Sequence, residues 1–378
     1  MGTERDDYFR HLPGRTTALP VSSVRIGDRL VGEGQPVYVI AEASANHRGR
    51  IENAFKLIDE AAQAGADAIK FQHLKAKGIA SDAVFTDSWH GKPIGQLSAF
   101  YKPAELPYEW TERLLRHSES AGIQFLSTPF DVEAADLLDS LNVPAFKVAS
   151  YELTDDVLLQ NLARRKKPLI LSTGMAYLEE VAHAIRLVQE EGNDDIVILH
   201  CVSLYPPRDF SDVNLRAIAT LRDAFKLPVG YSDHSRTPYV AAPLAAVALG
   251  ACVIEKHLTD SREGGSADDP NSMLSGEFAR MVEEIRNVEK AISGSGIKQP
   301  VSYEGHAGDE LYDRFSRRSL HARISLKAGQ ILTEDSLVTL RPTGGLEPRF
   351  LKLIVGKAVI RDVEARAPIR WEDLLQGD

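Results

Sequence analysis

Short apolar runs recur along the chain and alternate with longer amphipathic stretches. The runs are continuous in apolar character, which is typical of parallel strands buried on both faces of a sheet. The stretches between them space their apolar residues as a helix with one buried face does. The eight apolar runs are residues 37–44, 68–72, 123–129, 145–150, 168–174, 196–203, 228–234 and 252–259. The amphipathic stretches are residues 53–64, 132–141, 178–191, 215–225 and 276–292.

This alternation predicts an α/β fold. Eight strand and helix repeats within about 260 residues favour a parallel (β/α)₈ TIM barrel, and an open doubly wound sheet is the alternative. The interval from 72 to 123 is too long for a plain crossover and contains several aromatic residues, among them Trp89, Tyr101 and Trp110. We expect an active-site loop there, followed by one helix over residues 108–121.

The pattern changes near the end of the last amphipathic stretch. Residues 295–313 are rich in Gly, Ser and polar residues, which indicates a linker. A small domain of short strands and turns is predicted over residues 314–378, and its size favours docking on the barrel or on a partner subunit. The predicted organisation is an N-terminal extension (1–36), a barrel (37–294), the linker and the small domain.

Charge and composition exclude several classes of protein. Lys and Arg number 44 against 54 Asp and Glu, so the net charge of −10 argues against binding to nucleic acid. The most apolar stretch, residues 239–254, is interrupted by Pro243 and Gly250, so neither a signal peptide nor a membrane span is predicted. Cys201 and Cys252 lie in apolar runs, which favours buried thiols in a reducing cytoplasm.

Polar residues collect where the apolar runs end. In a parallel barrel these carboxyl ends converge on one mouth, where barrel enzymes place their sites. A lysine buried there is costly without an anionic partner. Lys70 and Lys147, with Ser150 and Ser172, therefore predict a cradle for a phosphate or carboxylate. The alternative is that each lysine pairs with a carboxylate of the chain, such as Glu42 or Glu152.

Two histidines end the seventh and eighth runs. His234 and His257 would lie on adjacent strands of a barrel, where their imidazoles could reach one divalent cation, with Mn, Fe or Zn better suited than Ca or Mg. The alternative for each is a structural histidine at a strand end. His200 lies further inside its run and is interpreted as a core residue.

Several longer motifs together resemble the sialic acid synthases, which condense phosphoenolpyruvate with an amino sugar. The resemblance spans about residues 37–375. The matching segments in the first part are EASANHRG (42–49), GADAIKFQ (65–72), FLSTPFD (125–131), FKVASYEL (146–153) and LSTGM (171–175). Those in the second part are HCVSLYP (200–206), GYSDHS (230–235), VALGACVIEKH (247–257) and RRSLHARISLKAGQ (317–330).

The resemblance implies a barrel followed by an antifreeze-like (SAF) domain, in a swapped homodimer whose small domains each cover the partner's active site. N-acetylneuraminate enzymes usually read G-I-N-H where this chain has SANH (44–47), and SANH together with LPYEW (106–110) is closer to pseudaminic acid synthases. That branch implies a 2,4-diacetamido-2,4,6-trideoxy hexose as the acceptor. The alternatives are an N-acetylneuraminate, legionaminate or other higher-sugar synthase, an aldolase independent of phosphoenolpyruvate, and a sugar-binding protein with a degenerate site.

The resemblance also implies roles for individual residues. Glu42 would be the catalytic carboxylate, and His234 and His257 would bind the metal, usually manganese. Arg341 would reach across from the partner's small domain. The residues implied to hold phosphoenolpyruvate are Lys70, Lys147, Ser150 and Ser172, with Thr128 and Ser203 near it. Those implied on the sugar side are Glu152, Tyr205 and one of Asp268 and Asp269.

Two departures from the family pattern lie near the sugar end of the expected site. Where the family often has G-G-P-D before an S-L pair, this chain has a loop that is apparently two residues longer, at 264–273. Asp269 is the preferred counterpart of the family aspartate in this loop. The family turn R-P-G-x-G becomes R-P-T-G-G at 341–345, which moves a glycine beside Arg341.

Overall fold

The computed structural model describes residues 23–89, 92–294 and 315–374. The chain divides into two compact units, with the boundary between Gly294 and Ser295. The predicted linker (295–313) and most of the predicted N-terminal extension lie outside the described residues. Each unit is taken by itself below.

The first unit contains a closed parallel barrel, so the predicted fold class is confirmed. Each predicted apolar run contains one barrel strand, because a parallel strand covered on both faces needs an unbroken apolar sequence. A two-stranded hairpin precedes the barrel, with β1 at Val24–Ile26 and β2 at Arg29–Val31. In chain order the barrel strands are β3 (Tyr38–Glu42), β4 (Ala68–His73), β7 (Gln124–Pro129), β8 (Phe146–Val148), β9 (Leu169–Ser172), β10 (Ile196–Cys201), β11 (Val229–Asp233) and β12 (Val253–His257). Each pairs with the next in parallel, and β12 pairs with β3 to close the ring.

Helices surround the barrel and bury one face each against it. The described helices of this unit are α1 (Ile51–Gln63), α2 (Ala76–Ile79), α3 (Leu97–Tyr101), α4 (Thr111–Ser120), α5 (Val132–Ser140), α6 (Asp156–Arg164), α7 (Leu178–Glu190), α8 (Ala217–Phe225), α9 (Ala241–Ala248) and α10 (Ser275–Ile292). Helices α6 and α9 were not among the predicted amphipathic stretches. The sequence of α9, AAPLAAVA, is apolar nearly all round, so it lacks the alternation that marks the others. No helix in the described part of the chain combines the length and apolar character needed to cross a bilayer.

The long interval after β4 differs from the prediction of a loop and one helix. It also contains an antiparallel hairpin, β5 (Val84–Trp89) and β6 (Lys92–Gln96), flanked by α2 and α3. The helix predicted at 108–121 is present as a short 3-10 turn at Tyr108–Trp110 that leads into α4. The hairpin strands carry several polar side chains, and every described side chain of β5 is exposed, so the strands lack the continuous apolar character by which the barrel strands are recognised.

The β1–β2 hairpin closes the amino-terminal end of the barrel. Val24, Ile26 and Val31 are buried in one cluster with Tyr38 and Leu126 from the barrel interior. This end is therefore filled by apolar side chains, while polar side chains occupy the opposite end. The hairpin falls within the predicted N-terminal extension and is an integral part of the first unit.

The second unit has its own small core. Its described elements are β13 (Ser319–Ala322), β14 (Leu337–Leu340) and α11 (Leu351–Ile354), joined by turns and isolated bridges. Leu320, Leu326, Leu332, Ile354 and Ile369 are all buried in one cluster. This agrees with the prediction of a small domain of short strands and turns.

The barrel interior leaves no room at Gly230 on β11. A Cβ atom there would lie 2.6 Å from Leu199 Cδ2, Val253 Cβ and the Val253 carbonyl oxygen. We expect Gly230→Ala to lower the free energy of unfolding by about 1–3 kcal/mol through overpacking. Gly276 in the first turn of α10 has open space around it, so Gly276→Ala is the matched control and should be neutral or slightly stabilising. Urea denaturation of both variants checks this, and equal stability of the two would contradict it.

Candidate active site at the mouth of the barrel

The carboxyl ends of the barrel strands open into one large cavity of about 1510 Å³. Its size suits small-molecule ligands, and its position is the one that barrel enzymes use. The structure brings together most of the residues predicted for the site. The predicted residues in the cavity lining are Glu42, Lys70, Thr128, Lys147, Ser150, Glu152, Ser172, Tyr205, His234 and His257.

Strand register places Glu42 between a lysine and a histidine. Glu42 on β3 is paired with Lys70 on β4 and with His257 on β12. The Lys70 ammonium lies 2.6 Å from Glu42 Oε2, and Gln72 Nε2 donates to Glu42 Oε1 at 2.8 Å. Burial lowers the pKa of Lys70, but the carboxylates of Glu255 and Glu42 outweigh it and raise that pKa above its usual value. Lys70 therefore stays charged within the cavity.

Lys147 has a different environment. Its ammonium donates to Ser172 Oγ at 2.6 Å and to the Val148 carbonyl at 2.9 Å. Within the described part of the chain no carboxylate lies within ion-pair distance of it. Burial lowers the pKa of Lys147, and the more distant Glu255 offsets this only in part. The alternative that each lysine pairs with a carboxylate of the chain thus holds for Lys70 but not for Lys147.

Glu255 is a site residue that the sequence reasoning missed. It is buried on β12, lines the cavity and lies 3.7 Å from the Lys70 ammonium, while Ser232 Oγ donates to it at 2.8 Å. Burial raises its pKa, but the charges of Lys147 and Lys70 outweigh burial and hold it below its usual range. The signal was available, because Glu255 is two residues before His257 and strand alternation puts both on the same face.

The same alternation places Asp233 and Lys256 outside the mouth, although both are polar residues near the ends of apolar runs. Neither lines the cavity. Their side chains are fully buried on the other face of the sheet and form an ion pair at 2.7 Å, with Lys256 also donating to the Ser235 carbonyl. They are directly opposite each other across β11 and β12. The pair ties together the two strands that carry His234 and His257.

His234 and His257 lie side by side, with ring centroids 5.2 Å apart. His234 Nδ1 is hydrogen-bonded to the Val202 carbonyl, which can only accept a hydrogen bond. In a neutral His234 the proton is therefore on Nδ1, and Nε2 has the lone pair that can bind a metal. Burial, together with the neighbouring His257, lowers the pKa of His234 to about 3, which keeps its imidazole neutral. The Tyr205 ring lies against the His234 ring, with centroids 3.9 Å apart and planes tilted by 36°, and it meets His257 edge-on.

The two imidazoles could supply two ligands to a metal ion. His257 Nδ1 is buried without a hydrogen-bond partner among the described residues. Across the described ranges no group of three or more His, Cys, Asp or Glu is arranged to hold a metal ion. A metal at these two histidines would need its remaining ligands from substrate or water.

Ser150 and Ser203 are packed around Gly174. The Gly174 backbone N–H donates to Ser150 Oγ at 2.9 Å, and a Cβ at this glycine would lie only 2.4 Å from Ser203 Oγ. Ser203 does not line the cavity, although its hydroxyl is buried and has no hydrogen-bond partner among the described residues. The structure therefore places Ser150 in the site and Ser203 just behind it.

The loop after β12 favours Asp268 over Asp269 for contact with a ligand. Asp268 lines the cavity, whereas Asp269 is fully buried and does not. Arg48 donates to both carboxylate oxygens of Asp269, at 2.9 and 3.1 Å, and Thr259 donates to the same group. The preference for Asp269 in the sequence reasoning is corrected, because its carboxylate is already bound by the protein and anchors the loop.

Arg341 belongs to the second unit. It directly follows β14, and its side chain is exposed. Its implied contact with a partner's site stays a prediction.

Glu152 stands apart from the paired carboxylates. It lines the cavity, and its Oε2 is buried without a hydrogen-bond partner among the described residues. Burial raises its pKa to about 7, and the charge of Lys147 opposes this only in part. A carboxyl group with such a pKa can exchange a proton near neutral pH.

The fold and the site define a class of protein: a TIM barrel whose mouth holds buried lysines beside two neighbouring histidines, with a small second domain. Family models agree, since the NeuB family matches residues 57–298 and the SAF domain matches residues 317–375. The chain belongs to the NeuB family, which confirms the resemblance seen in its motifs.

Named relatives extend over most of the chain. An N,N'-diacetyllegionaminic acid synthase from Campylobacter jejuni is 39% identical over 88% of this chain and 98% of its own length. A pseudaminic acid synthase from the same species is 36% identical over 89% of this chain and 96% of its own. The crystal structure of an N-acetylneuraminic acid synthetase from Leptospira borgpetersenii, in complex with citrate, has a TM-score of 0.67 and 34% identity. The matched region covers 75% of this chain and 93% of the Leptospira chain.

The raised pKa of Glu152 makes stability depend on pH. As pH rises from the unfolded value near 4.5 to about 7, the folded chain keeps this proton and the unfolded chain loses it, so folding becomes less favourable. We expect Glu152→Gln to gain stability relative to the unsubstituted protein as pH rises from about 5 to 8. Thermal unfolding of both proteins at several pH values checks this, and parallel Tm curves would contradict it.

Proposed function

We propose that this NeuB-family chain condenses phosphoenolpyruvate with an amino-sugar aldehyde, forms a carbon–carbon bond and releases phosphate. The observation that carries the proposal is the placement of Lys147 and Lys70, with their serine and threonine neighbours, in the same cavity as His234 and His257. An anion and a polarised carbonyl group would meet there. The names of the three relatives given above, each a synthase or synthetase of a nonulosonic acid, support the same chemistry.

For the acceptor we propose a 2,4-diacetamido-2,4,6-trideoxy hexose, as in the pseudaminate branch. The SANH and LPYEW segments support this choice. A legionaminate synthase is the second candidate, because the legionaminate relative is 39% identical and the pseudaminate relative 36%. The proposal also includes a cytoplasmic location, where phosphoenolpyruvate is available, and a homodimer in which Arg341 reaches the partner's site.

The anionic co-substrate is held by cations and hydroxyls. Lys147 is the buried ammonium without a carboxylate of its own, so a phosphate or carboxylate would supply the partner that its burial requires. Ser172 already accepts from Lys147, and Ser150 lies in the same part of the lining. Thr128 lies 3.4 Å from the Lys70 ammonium and completes this side of the cradle.

The proposed metal, Mn²⁺ in the first instance, would be held by His234 and His257. When bound, it supplies a Lewis acid for the aldehyde oxygen of the open-chain sugar. The chain contributes two neighbouring imidazoles. That of His234 is oriented by the Val202 carbonyl and by the Tyr205 ring that lies against it. These contacts keep the ligand atom of His234 in place without rearrangement.

In the reaction, carbon 3 of phosphoenolpyruvate bonds to the aldehyde carbon, whose oxygen takes up a proton. Carbon 2 becomes an oxocarbenium-like centre, water adds to it, and phosphate then leaves with cleavage of its C–O bond. Glu42 is the carboxylate assigned to stabilise that cation or to take the proton of the water. Lys70 and Gln72 hold Glu42 in one orientation by their contacts with its two oxygens.

Phosphate release tests the proposal. With purified protein, phosphoenolpyruvate and Mn²⁺, we expect release with the 2,4-diacetamido sugar of the pseudaminate branch and loss of release after chelation of the metal. Parallel reactions offer the legionaminate precursor and N-acetylmannosamine, and each alternative predicts activity with its own sugar.

The outcomes separate the chemistry from the choice of acceptor. Release with a different sugar would replace the proposed acceptor and keep the synthase chemistry. Absence of release with every sugar, together with no binding of phosphoenolpyruvate, would contradict the enzyme proposal.

A further inference from the structure

Ser44 has a backbone conformation that a serine adopts at a cost. It lies two residues beyond β3 with φ of 46°, in the left-handed region that favours glycine. For a residue with a Cβ this region costs on the order of 1 kcal/mol. Ser44 is also buried, at 2% exposure, and it lines the cavity. Such a cost at a cavity wall points to a role for the side chain.

The Ser44 hydroxyl has one described partner, the carboxylate of Asp268, to which it donates a hydrogen bond. The two residues are on different loops, one after β3 and the other after β12, and both line the cavity. The contact therefore joins two walls of the site.

The backbone of the Asp268 loop is fixed from behind by other residues. Arg48 binds Asp269, as described above, and Ser272 Oγ donates to the Asp268 carbonyl at 2.7 Å. Gly264 packs so closely on Arg48 that a Cβ there would lie 2.0 Å from its Nε atom. These contacts position the main chain of the loop, and Ser44 is the residue that holds the Asp268 carboxylate itself.

The charge of Asp268 reaches the part of the cavity where the acceptor is proposed to bind. Burial is the main cause of the raised pKa of Tyr151, which also lines the cavity, and the Asp268 carboxylate is among the neighbouring groups that add to it. Asp268 lines the same cavity as Tyr205, His234 and His257, so its carboxylate belongs to the site rather than to the outer surface of the loop.

We infer that Ser44 is a positioning residue that aims the Asp268 carboxylate at a hydrogen-bond donor of the acceptor sugar. Because the Ser44 proton is used on Asp268, the pair presents only acceptor atoms to the cavity. It therefore selects an acceptor with an amide N–H or a hydroxyl at this position and disfavours one with a carbonyl oxygen or a bare ring carbon there. This inference rests on the proposed synthase function.

Two substitutions separate the effect of the Ser44 hydroxyl from the effect of its backbone strain. Ser44→Gly removes the hydroxyl and relieves the strain, and Ser44→Ala removes the hydroxyl and keeps the strain. We expect both to raise the KM for the best acceptor sugar on the order of tenfold, with the KM for phosphoenolpyruvate unchanged. The Tm of Ser44→Gly should equal or exceed that of the unsubstituted protein, and the Tm of Ser44→Ala should lie below that of Ser44→Gly.

A double-substitution cycle tests whether Ser44 acts through Asp268. Asp268→Asn should raise the acceptor KM, and adding Ser44→Gly to it should have little further effect. An unchanged acceptor KM in Ser44→Gly, equal changes in both KM values, or full additivity with Asp268→Asn would each overturn the inference. If the unsubstituted protein releases no phosphate with any sugar, the proposed function itself has failed, which is a different result.

Discussion

The site depends on how four ionisable side chains are accommodated at the buried mouth of the barrel. Lys70, Lys147, Glu42 and Glu255 all line one cavity and are all nearly inaccessible to solvent. A buried charge is tolerated only when it is paired and hydrogen-bonded. Three of the four meet this requirement within the chain, through the contacts of Lys70 with both carboxylates. Lys147 meets it only with neutral oxygens, and this leaves a place for an anion.

Other features of the first unit support this arrangement. The register of β12, β3 and β4 sets His257, Glu42 and Lys70 side by side, so the order of the site follows from backbone pairing. On the other face of the sheet, the buried Asp233–Lys256 pair ties β11 to β12 beneath the two histidines. The hydrogen bonds of Arg48 to Asp269 hold the loop that carries Asp268 against the loop after β3.

Much of the fold follows from the sequence, because a strand covered on both faces must be continuously apolar. That constraint located every barrel strand, and the ends of the same runs located most of the predicted site residues that line the cavity. What it could not resolve was the direction of side chains at those ends. Lys256 and Glu255 are adjacent, and only strand alternation places the first outside the cavity and the second within it.

The remaining differences between the prediction and the structure lie in loops. Asp268 and Asp269 are neighbours in a turn of irregular structure, so no period distinguishes them, and the contacts with Arg48 and Ser44 that do so are more than 200 residues away in sequence. The β5–β6 hairpin was missed for a related reason, since its strands are partly exposed and lack an apolar run. Sequence pattern reports burial well and long-range polar contacts poorly.

Binding of phosphoenolpyruvate, measured by titration calorimetry without acceptor sugar, tests the central claim most directly. The unsubstituted protein should bind it, and Lys147→Met should weaken binding on the order of 100-fold because the ammonium that lacks a carboxylate partner is lost. Lys352→Met, at an exposed position of the second unit, is the charge-matched control and should bind as the unsubstituted protein does. Equal affinity of the Lys147→Met and Lys352→Met variants would contradict the account.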